Sequence, residues 1–549
     1  MTTHITRRSI LGASLAVAGT GVLAACSSDG GSGGGHAGHT GGGSGGGAKA
    51  RPAGFVAPDG KEVQDAEAKR RGGPERKVKL TATPATLDLG GGLAVKSWAY
   101  DGRLPGQEVR VTAGDTLALT LANNLPETTS LHWHGLALRN DMDGVPDLTQ
   151  KPVKAGGTFE YRFAVPHPGT YWFHPHSGVQ QDRGLYAPLI VEDPKEPLKY
   201  DKEWVIVLDD WVDGVDGSTP DAVLKELSKG MSGGGHAGHG GMNTMSAQRT
   251  ASKKAVQAVQ AVKSAESPGP QGPSRMMMGA KSDLLGGDAG DVAYPHYLVN
   301  GRTPQDPATF AAKPGERIRL RIVNAGGDTA FRIALGGHEL TVTHTDGFPV
   351  QHAKTDAVLL GMGERYDVLV TAGDGVFPLV ALAEGKDATA LAVLRTGSGA
   401  APTAAVRPAE LTKRVLTADK LRADASVALP ARKPDREIKI KLSGGMAKYD
   451  WAFDGKPYSP DQRHEVRAGE RVRLVFSNPT GMWHPLHLHG HTFGLANVAN
   501  GPRKDTAVIL PNGTLTADFD ADNPGLWMIH CHNVYHAEAG MMTVLGYLK

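Results

Sequence analysis

A short pattern repeats three times along this chain and constrains its fold more than any other feature. In each copy a Gly and an acidic residue lead into an alternating stretch that ends at an Asn. The Gly-to-Asn spacing is identical over residues 114–123, 315–324 and 469–478. A turn followed by an alternating strand has one buried face. Three such units imply three related domains, and short strands between Gly and Pro turns favour β-sandwiches or barrels.

The repeats set the expected domain boundaries. We predict a first domain over residues 77–194, a second over 200–407 and a third over 408–549. The second carries an insertion at about 212–293 that is rich in Gly, Ser, Ala, Met and His. We expect this insertion to be largely mobile, with a short helix around residues 252–265.

Composition excludes several classes of protein. The formal net charge is +2, which argues against a strongly basic nucleic-acid binder, so we expect no nucleic-acid partner. Two Cys in 549 residues exclude a disulfide scaffold and any zinc or iron–sulfur site built from four thiolates. Because the chain has 22 His, metal chemistry would depend mainly on imidazole.

The N-terminus has the pattern of an export signal. Arg7 and Arg8 precede an uncharged, mostly small and apolar run that ends before Cys26. Residues 1–26 therefore predict a twin-arginine signal peptide, and the end of the run resembles the lipobox of bacterial lipoproteins. Residues 27–76 predict a flexible Gly/Ser-rich tether. We expect attachment by lipid at Cys26 to the outer face of the cytoplasmic membrane, in the periplasmic space. The alternative is a plain signal peptide with an incidental Cys.

Four His-x-His pairs lie in the first and third units. On a strand, residues i and i+2 point to the same side, so four pairs can direct eight imidazoles at one site, enough for three copper ions. The second unit has no such pair, which suggests that the outer domains meet face to face. The eight residues are His132, His134, His174, His176, His487, His489, His530 and His532.

Cys531 lies between His530 and His532 and should point to the opposite side of the strand. With His484 and His536 it would form a trigonal site of two imidazoles and one thiolate. Met541 is spaced as a weak axial thioether, which completes the ligand set of a blue-copper electron-transfer site.

With these motifs the chain resembles three-domain multicopper oxidases. It is most similar to the copper-resistance oxidases of bacterial envelopes, including the mycobacterial lipoprotein oxidases. The resemblance covers residues from about 77 to 549 and implies an all-β chain of three cupredoxin-like Greek-key domains. It also implies four copper ions per chain: one type 1, one type 2 and two type 3.

The resemblance implies a role for each ligand. His132 and His487 would hold the type 2 copper, and the other six of the eight histidines the type 3 pair. His484, Cys531, His536 and Met541 would hold the type 1 copper. Electrons would arrive through an exposed imidazole edge of His484 or His536 and cross Cys531 to His530 or His532, and dioxygen would be reduced to water.

Two acids are candidates for the proton chemistry. Family members carry an acid at the position of Asp143, whose alternative role is that of a turn residue before Gly144. Many bacterial relatives also have Glu directly after the last type 1 His. Here that position is Ala537, and Glu538 follows one residue later.

The electron donor is left open by the sequence. Thioethers suit Cu(I), so the methionines of the insertion predict a segment that binds cuprous ions. The alternative is that Met and Gly merely accumulate in a mobile loop. Met482 matches cuprous-oxidising relatives, whereas Thr480 stands where those relatives have an acid. We expect a cuprous oxidase that oxidises phenols as a side activity, acting as a monomer. The alternatives are a laccase or ferroxidase for a phenol or Fe(II), and a non-catalytic copper-binding envelope protein. The insertion methionines are Met231, Met242, Met245, Met276, Met277 and Met278.

Overall fold

The computed structural model describes residues 54–231 and 272–549, and all of them belong to one compact unit. The repeated pattern forms the same structure three times: strands β4 (Thr116–Asn123), β14 (Arg317–Asn324) and β26 (Arg471–Ser477). The all-β prediction is confirmed, because each repeat lies in a four- or six-stranded sheet of its own part of the chain and the helices are few.

The repeated Asn explains why the pattern is so regular. Asn123, Asn324 and Asn478 are all buried, and each side-chain oxygen accepts a hydrogen bond of 3.0 Å from the backbone N–H two residues later. Each side-chain amide also donates to the carbonyl of a distant segment, at 2.9–3.1 Å. The Asn therefore ends the strand and fixes the loop that follows.

The first part contains the sheets β2–β1–β4–β6 and β3–β8–β7–β5, with β1 parallel to β4. Its other strands are β1 (Glu75–Gly90), β2 (Leu93–Tyr100), β3 (Val109–Thr112), β5 (His132–His134), β6 (Thr158–Ala164), β7 (Gly169–His174) and β8 (Ala187–Glu192).

The second part contains two six-stranded sheets, β12–β9–β14–β19–β16–β17 and β13–β21–β20–β15–β18–β22, together with the hairpin β10–β11. Its strands besides β14 are β9 (Lys202–Trp211), β10 (Lys281–Ser282), β11 (Gly287–Asp288), β12 (His296–Val299), β13 (Ala308–Ala311), β15 (Phe331–Leu335), β16 (Leu340–Thr345), β17 (Phe348–Thr355), β18 (Ala357–Leu360), β19 (Arg365–Thr371), β20 (Val376–Ala383), β21 (Ala388–Arg395) and β22 (Val415–Leu416).

The third part contains the sheets β24–β23–β26–β31–β28–β29 and β25–β33–β32–β27–β30. Its strands besides β26 are β23 (Arg436–Ser443), β24 (Ala452–Phe453), β25 (Arg463–Val466), β27 (His484–Leu488), β28 (Phe493–Leu495), β29 (Arg503–Lys504), β30 (Thr506–Ile509), β31 (Thr514–Asp520), β32 (Leu526–Cys531) and β33 (Met542–Tyr547).

Helices are few and short in the described residues. The α-helices are α1 (Lys61–Arg70), α2 (Pro220–Leu227) and α3 (Val534–Ala539). The 3-10 helices are Asn140–Met142, Gln180–Arg183, Ala409–Thr412 and Ala418–Lys420. Within this part of the chain, no helix is long and apolar enough to cross a membrane.

The predicted tether is folded in its last third, so the expectation of a flexible segment up to residue 76 is wrong there. Helix α1 buries Val63, which is 1% exposed. The backbone N–H of Val56 donates to the Tyr547 carbonyl at 2.8 Å, and that of Lys549 donates to Gly54 at 2.8 Å. The sequence did not reveal this because the partner surface comes from residues distant in the chain: the C-terminal strand and strand β6, where the backbone N–H of Ala164 donates to Glu67 at 2.7 Å. The predicted signal peptide and Cys26 lie outside the described residues.

The predicted insertion is also packed at both ends. Residues 212–231 include α2, and residues 272–293 include the β10–β11 hairpin. Leu227, Leu285 and Val292 are buried. These flanks therefore contradict the expectation of a largely mobile segment from 212 to 293, whereas the helix expected around residues 252–265 lies outside the described residues.

Candidate metal centre

The eight histidines of the four pairs converge where the first and third parts of the chain meet. The rings of His132 and His489 stack with centroids 3.7 Å apart, and those of His134 and His487 stack at 3.8 Å. The two pairs of the third part also come together, because His487 pairs with His530 across strands β27 and β32. The expectation that the outer domains face each other is thus met by the geometry.

Backbone carbonyls orient several of these rings from outside. Nδ1 of His132 lies 2.9 Å from the Asp143 carbonyl, Nδ1 of His174 lies 3.0 Å from the Pro175 carbonyl, and Nδ1 of His530 lies 2.8 Å from the Cys531 carbonyl. Since a carbonyl only accepts, each Nδ1 donates and each Nε2 carries a free lone pair, as in the outer contacts of metal-bound imidazoles.

The inner nitrogens form a set that suits metal ions. Nε2 of His132, His174 and His487 is buried without a hydrogen-bond partner. Nε2 of His530 lies 3.1 Å from Nε2 of His489. Three groups of histidines hold their ligand atoms within 4.8 Å of one another: His132–His134–His174, His132–His487–His489 and His176–His489–His530.

Burial keeps most of these imidazoles neutral, which is the form that binds metal. Desolvation, reinforced by neighbouring histidines, lowers the pKa of six of them well below the usual value. Unpartnered, neutral and convergent imidazoles fit copper. The residues with this strong lowering of the pKa are His134, His174, His176, His489, His530 and His532.

Asp143 contacts the cluster with both carboxylate oxygens. Oδ1 lies 3.2 Å from Nδ1 of His132, and Oδ2 lies 2.9 Å from Nδ1 of His489. The side chain is fully buried. It therefore orients one imidazole from each outer part of the chain.

Asp505 is a second acid at the cluster, and sequence reasoning missed it. Its Oδ1 lies 3.1 Å from Nε2 of His134, and Arg365 donates to both carboxylate oxygens at 2.7 and 2.6 Å. Burial alone would raise the pKa of Asp505, but Arg365 and the bonds to His134 and His487 bring that pKa well below its usual range. No motif marks Asp505; only the pairing of β30 with β27 brings it to the histidines.

Cys531, His484 and His536 form a separate buried cluster behind the eight histidines. Sγ of Cys531 lies 3.6 Å from Nδ1 of His484 and 3.7 Å from Nδ1 of His536. Burial raises the pKa of the thiol. Met541 is buried, and its carbonyl accepts from the backbone N–H of Cys531 at 3.1 Å. Two imidazoles and one thiolate fit a trigonal copper site.

The expected exposed imidazole edge is wrong, because both His484 and His536 are 0% exposed. Nε2 of His536 lies 2.9 Å from Asp291 Oδ2, and Nε2 of His484 lies 3.1 Å from Thr480 Oγ1. The indole of Trp451 covers both rings, with centroids 4.4 Å from His536 and 5.1 Å from His484. The returning end of the insertion provides Asp291, which sequence analysis did not single out.

The returning flank of the insertion lies near this cluster. Asp288 forms a β-bridge with Met482, and Met276 forms one with Val292, next to Asp291. The backbone N–H of Met277 donates to the Asp291 carbonyl at 2.7 Å.

The remaining predicted methionines have mixed positions. Met482 is buried, whereas Met278 is 69% exposed. On the other flank, Met231 donates its backbone N–H to the Ala447 carbonyl at 3.2 Å, four residues before Trp451. Met242 and Met245 lie outside the described residues.

Glu538 lines a cavity of about 370 Å³ whose wall also includes His176. The Glu538 side chain is exposed to this cavity. Partial desolvation by the surrounding residues raises the pKa of Glu538 to about 7. Asp221, another cavity residue, adds to the shift.

Comparisons with known proteins agree with this geometry. Three sequence models described as multicopper oxidase match residues 81–196, 271–399 and 431–547. The chain is 47% identical to Multicopper oxidase MmcO of Mycobacterium tuberculosis, over 85% of this chain and 86% of the relative. It is 29% identical to a copper resistance protein A homolog of Pseudomonas syringae, over 82% and 89%. The crystal structure of Fet3p, a multicopper oxidase that functions in iron import, aligns with a TM-score of 0.67 at 22% identity, over 86% and 90%.

Proposed function

Because this chain belongs to the multicopper oxidase family, we propose that it oxidises Cu(I) at a bacterial cell envelope and passes the electrons to dioxygen, with phenol oxidation as a side activity. The observation that carries this proposal is the contact of 2.9 Å between Asp291 and His536. It joins the returning end of the methionine-rich insertion to a type 1 ligand.

The donor site we propose combines soft and anionic ligands. Met482 and the 276–278 methionines offer thioethers, which favour Cu(I) over harder cations. Asp291 supplies a carboxylate that also contacts His536. It thereby offers the acid that the sequence lacks at Thr480, but from another element and toward the other imidazole.

Bound copper would supply one-electron transfer at the Cys531 cluster and the four-electron reduction of dioxygen at the eight-histidine cluster. We assign the ligands as the motifs imply, with His132 and His487 at type 2 and the other six at the type 3 pair. Asp143 and Asp505 orient imidazoles of that cluster from outside. Glu538, with a pKa of about 7, would deliver protons through the cavity that reaches His176.

Copper tolerance is the role that follows from this chemistry and from the predicted location. Export by the twin-arginine route and a lipid at Cys26 would hold the enzyme where Cu(I) is oxidised outside the cytoplasm. A copper resistance protein among the relatives supports this assignment.

A laccase with a phenol as its natural donor is the second candidate. It is disfavoured because a phenol would find no free imidazole edge: Asp291 and Thr480 engage both distal nitrogens, and Trp451 packs against both rings. A ferroxidase would also use the Asp291 carboxylate to bind its substrate, but thioethers do not favour Fe(II) as they favour Cu(I). A purely copper-binding role leaves the complete set of ligands of both clusters unexplained.

The test is oxygen uptake by the copper-loaded full chain with Cu(I) and with a substituted phenol, in wild type, Asp291→Asn and Met482→Leu. The matched control is Asp283→Asn, an exposed Asp between strands β10 and β11. We expect each site variant to lose about tenfold or more of kcat/KM for Cu(I), since one charge-assisted contact or soft ligand is removed. Phenol oxidation should hold or rise. A wild type that prefers the phenol, with Cu(I) rates equal in all variants, overturns the proposal in favour of a laccase.

A further inference from the structure

Lys386 is a fully buried lysine that neither metal cluster uses. Its Nζ donates to Asp328 Oδ2 at 2.7 Å, and both side chains are 0% exposed. It also donates to Thr329 Oγ1 at 3.0 Å and to the Val292 carbonyl at 3.2 Å. Burial opposes charge on the lysine, but Asp328 raises its pKa, so the pair is ionic. A buried ion pair is seldom a net gain in stability, so a role in positioning other groups has to be considered.

Asp328 collects hydrogen bonds from two separate segments. The backbone N–H groups of Asp291 and Val292 donate to its Oδ2, both at 3.0 Å. The side-chain amide of Asn533 donates to its Oδ1 at 2.6 Å. One carboxylate therefore joins the returning end of the insertion to the loop that follows Cys531.

Asn533 carries this connection to His536. Its Oδ1 accepts from the backbone N–H groups of Tyr535 at 3.1 Å and His536 at 3.2 Å, which caps helix α3. Asp328 thus fixes the backbone of Asp291 directly and the backbone of His536 through Asn533. These two residues form the 2.9 Å contact between Asp291 and His536.

We propose that Asp328, neutralised by Lys386, is a positioning residue for electron transfer into His536. It fixes the positions of Asp291 and His536 relative to each other, so that a donor bound at Asp291 has a defined position relative to the type 1 ligands. The substrate side of this inference rests on the proposed cuprous oxidase function; the positioning of His536 by Asp328 does not.

The charges of the pair make predictions of opposite sign. Lys386→Met leaves the Asp328 carboxylate uncompensated beside the Cys531 loop, and a negative charge there favours the oxidised site, so the type 1 reduction potential falls. Asp328→Asn leaves the Lys386 cation uncompensated, and the potential rises. The double variant is neutral and returns the potential toward wild type, but it does not restore the carboxylate that accepts from Asp291 and Val292.

The experiment compares Lys386→Met, Asp328→Asn, the double variant and Lys313→Met, an exposed lysine as control. Hydrogen exchange of the copper-free full chain reports on the amides of Asp291 and Val292. Potentiometry and electron paramagnetic resonance of the copper-loaded protein report on the type 1 site. We expect faster exchange at both amides in the variants with Asp328→Asn, and shifts of the type 1 reduction potential in opposite directions in the two single variants. In the double variant we expect about a tenfold loss of Cu(I) kcat/KM.

Failure of the two proposals can be told apart. If wild type does not oxidise Cu(I) but exchange and potentials change as described, the donor assignment fails and the positioning role stands. If exchange at Asp291 and Val292 is unchanged, or both single variants shift the potential in the same direction, the positioning role is overturned. Should a single variant not fold because of its unpaired charge, the neutral double variant decides by its exchange and its Cu(I) rate.

Discussion

Asp143 and His489 are joined by a contact of 2.9 Å between Asp143 Oδ2 and His489 Nδ1, although 346 residues separate them in the sequence. The other carboxylate oxygen lies 3.2 Å from Nδ1 of His132. A single buried acid therefore sets the orientation of imidazoles from both outer parts of the chain. The geometry of the cluster depends on this relationship as much as on the histidines themselves.

Asp143→Asn should slow dioxygen reduction by about 10- to 100-fold, because the amide removes the negative charge that lies 2.9 Å from Nδ1 of His489 and 3.2 Å from Nδ1 of His132. Reduction of the Cys531 site by the donor should be unchanged. Stopped-flow reoxidation of the fully reduced enzyme by dioxygen measures dioxygen reduction. Anaerobic bleaching of the blue absorption measures reduction of the Cys531 site. Asp141→Asn, in a nearby pair with Arg139, is the control, and equal loss in both half-reactions would contradict the assignment.

Asp505→Asn should lower copper occupancy at the eight-histidine cluster, with a loss of about 10- to 100-fold in metal affinity. It should also destabilise the fold by about 3 kcal/mol, because Arg365 loses its two charge-assisted hydrogen bonds to Asp505 and keeps only the longer buried ion pair with Asp346 at 3.5 Å. Metal analysis with electron paramagnetic resonance, and thermal unfolding of the copper-free protein, measure the two effects separately. Full copper content in a destabilised variant would reduce Asp505 to a structural role.

The pH dependence of turnover should report Glu538. Its pKa of about 7 means that the protonated acid dominates below pH 7 and is lost above it. If this acid delivers protons, kcat falls as pH rises through about 7, and Glu538→Gln removes that limb. The pH profile of kcat with a donor that does not itself titrate in this range is the measurement. A limb that persists in the Gln variant assigns it to another group.

Val63→Ala should destabilise the protein by about 2 kcal/mol, through the loss of buried apolar surface and the cavity left behind. Helix α1 lies in a stretch that composition had marked as a tether, so this change tests whether its packing contributes to stability. Thermal unfolding gives the result, and Glu62→Ala on the exposed side of the same helix should be neutral. Equal melting temperatures for all three proteins would show that α1 is dispensable.

The sequence predicted the repeated units and the ligands because their signals are local. A strand of alternating polarity after a Gly turn needs only its own residues, and His530, Cys531 and His532 point to alternate sides of any extended chain. The same reasoning led to the all-β class, whereas Asp143 was predicted from the resemblance to a family that carries an acid at this position. It failed for residues 54–76 and for the flanks of the insertion, where composition resembles a linker but a distant strand or loop provides the packing surface.

By itself the sequence determined the all-β class, and it predicted which residues would hold copper. Only the tertiary structure decided how those residues are surrounded. Asp505 reaches His134 through the pairing of β30 with β27, and Asp291 seals His536 from solvent although 245 residues separate the two. Such contacts depend on which strands pair and which loops return, and these choices are settled by burial across the whole fold rather than by spacing along the chain.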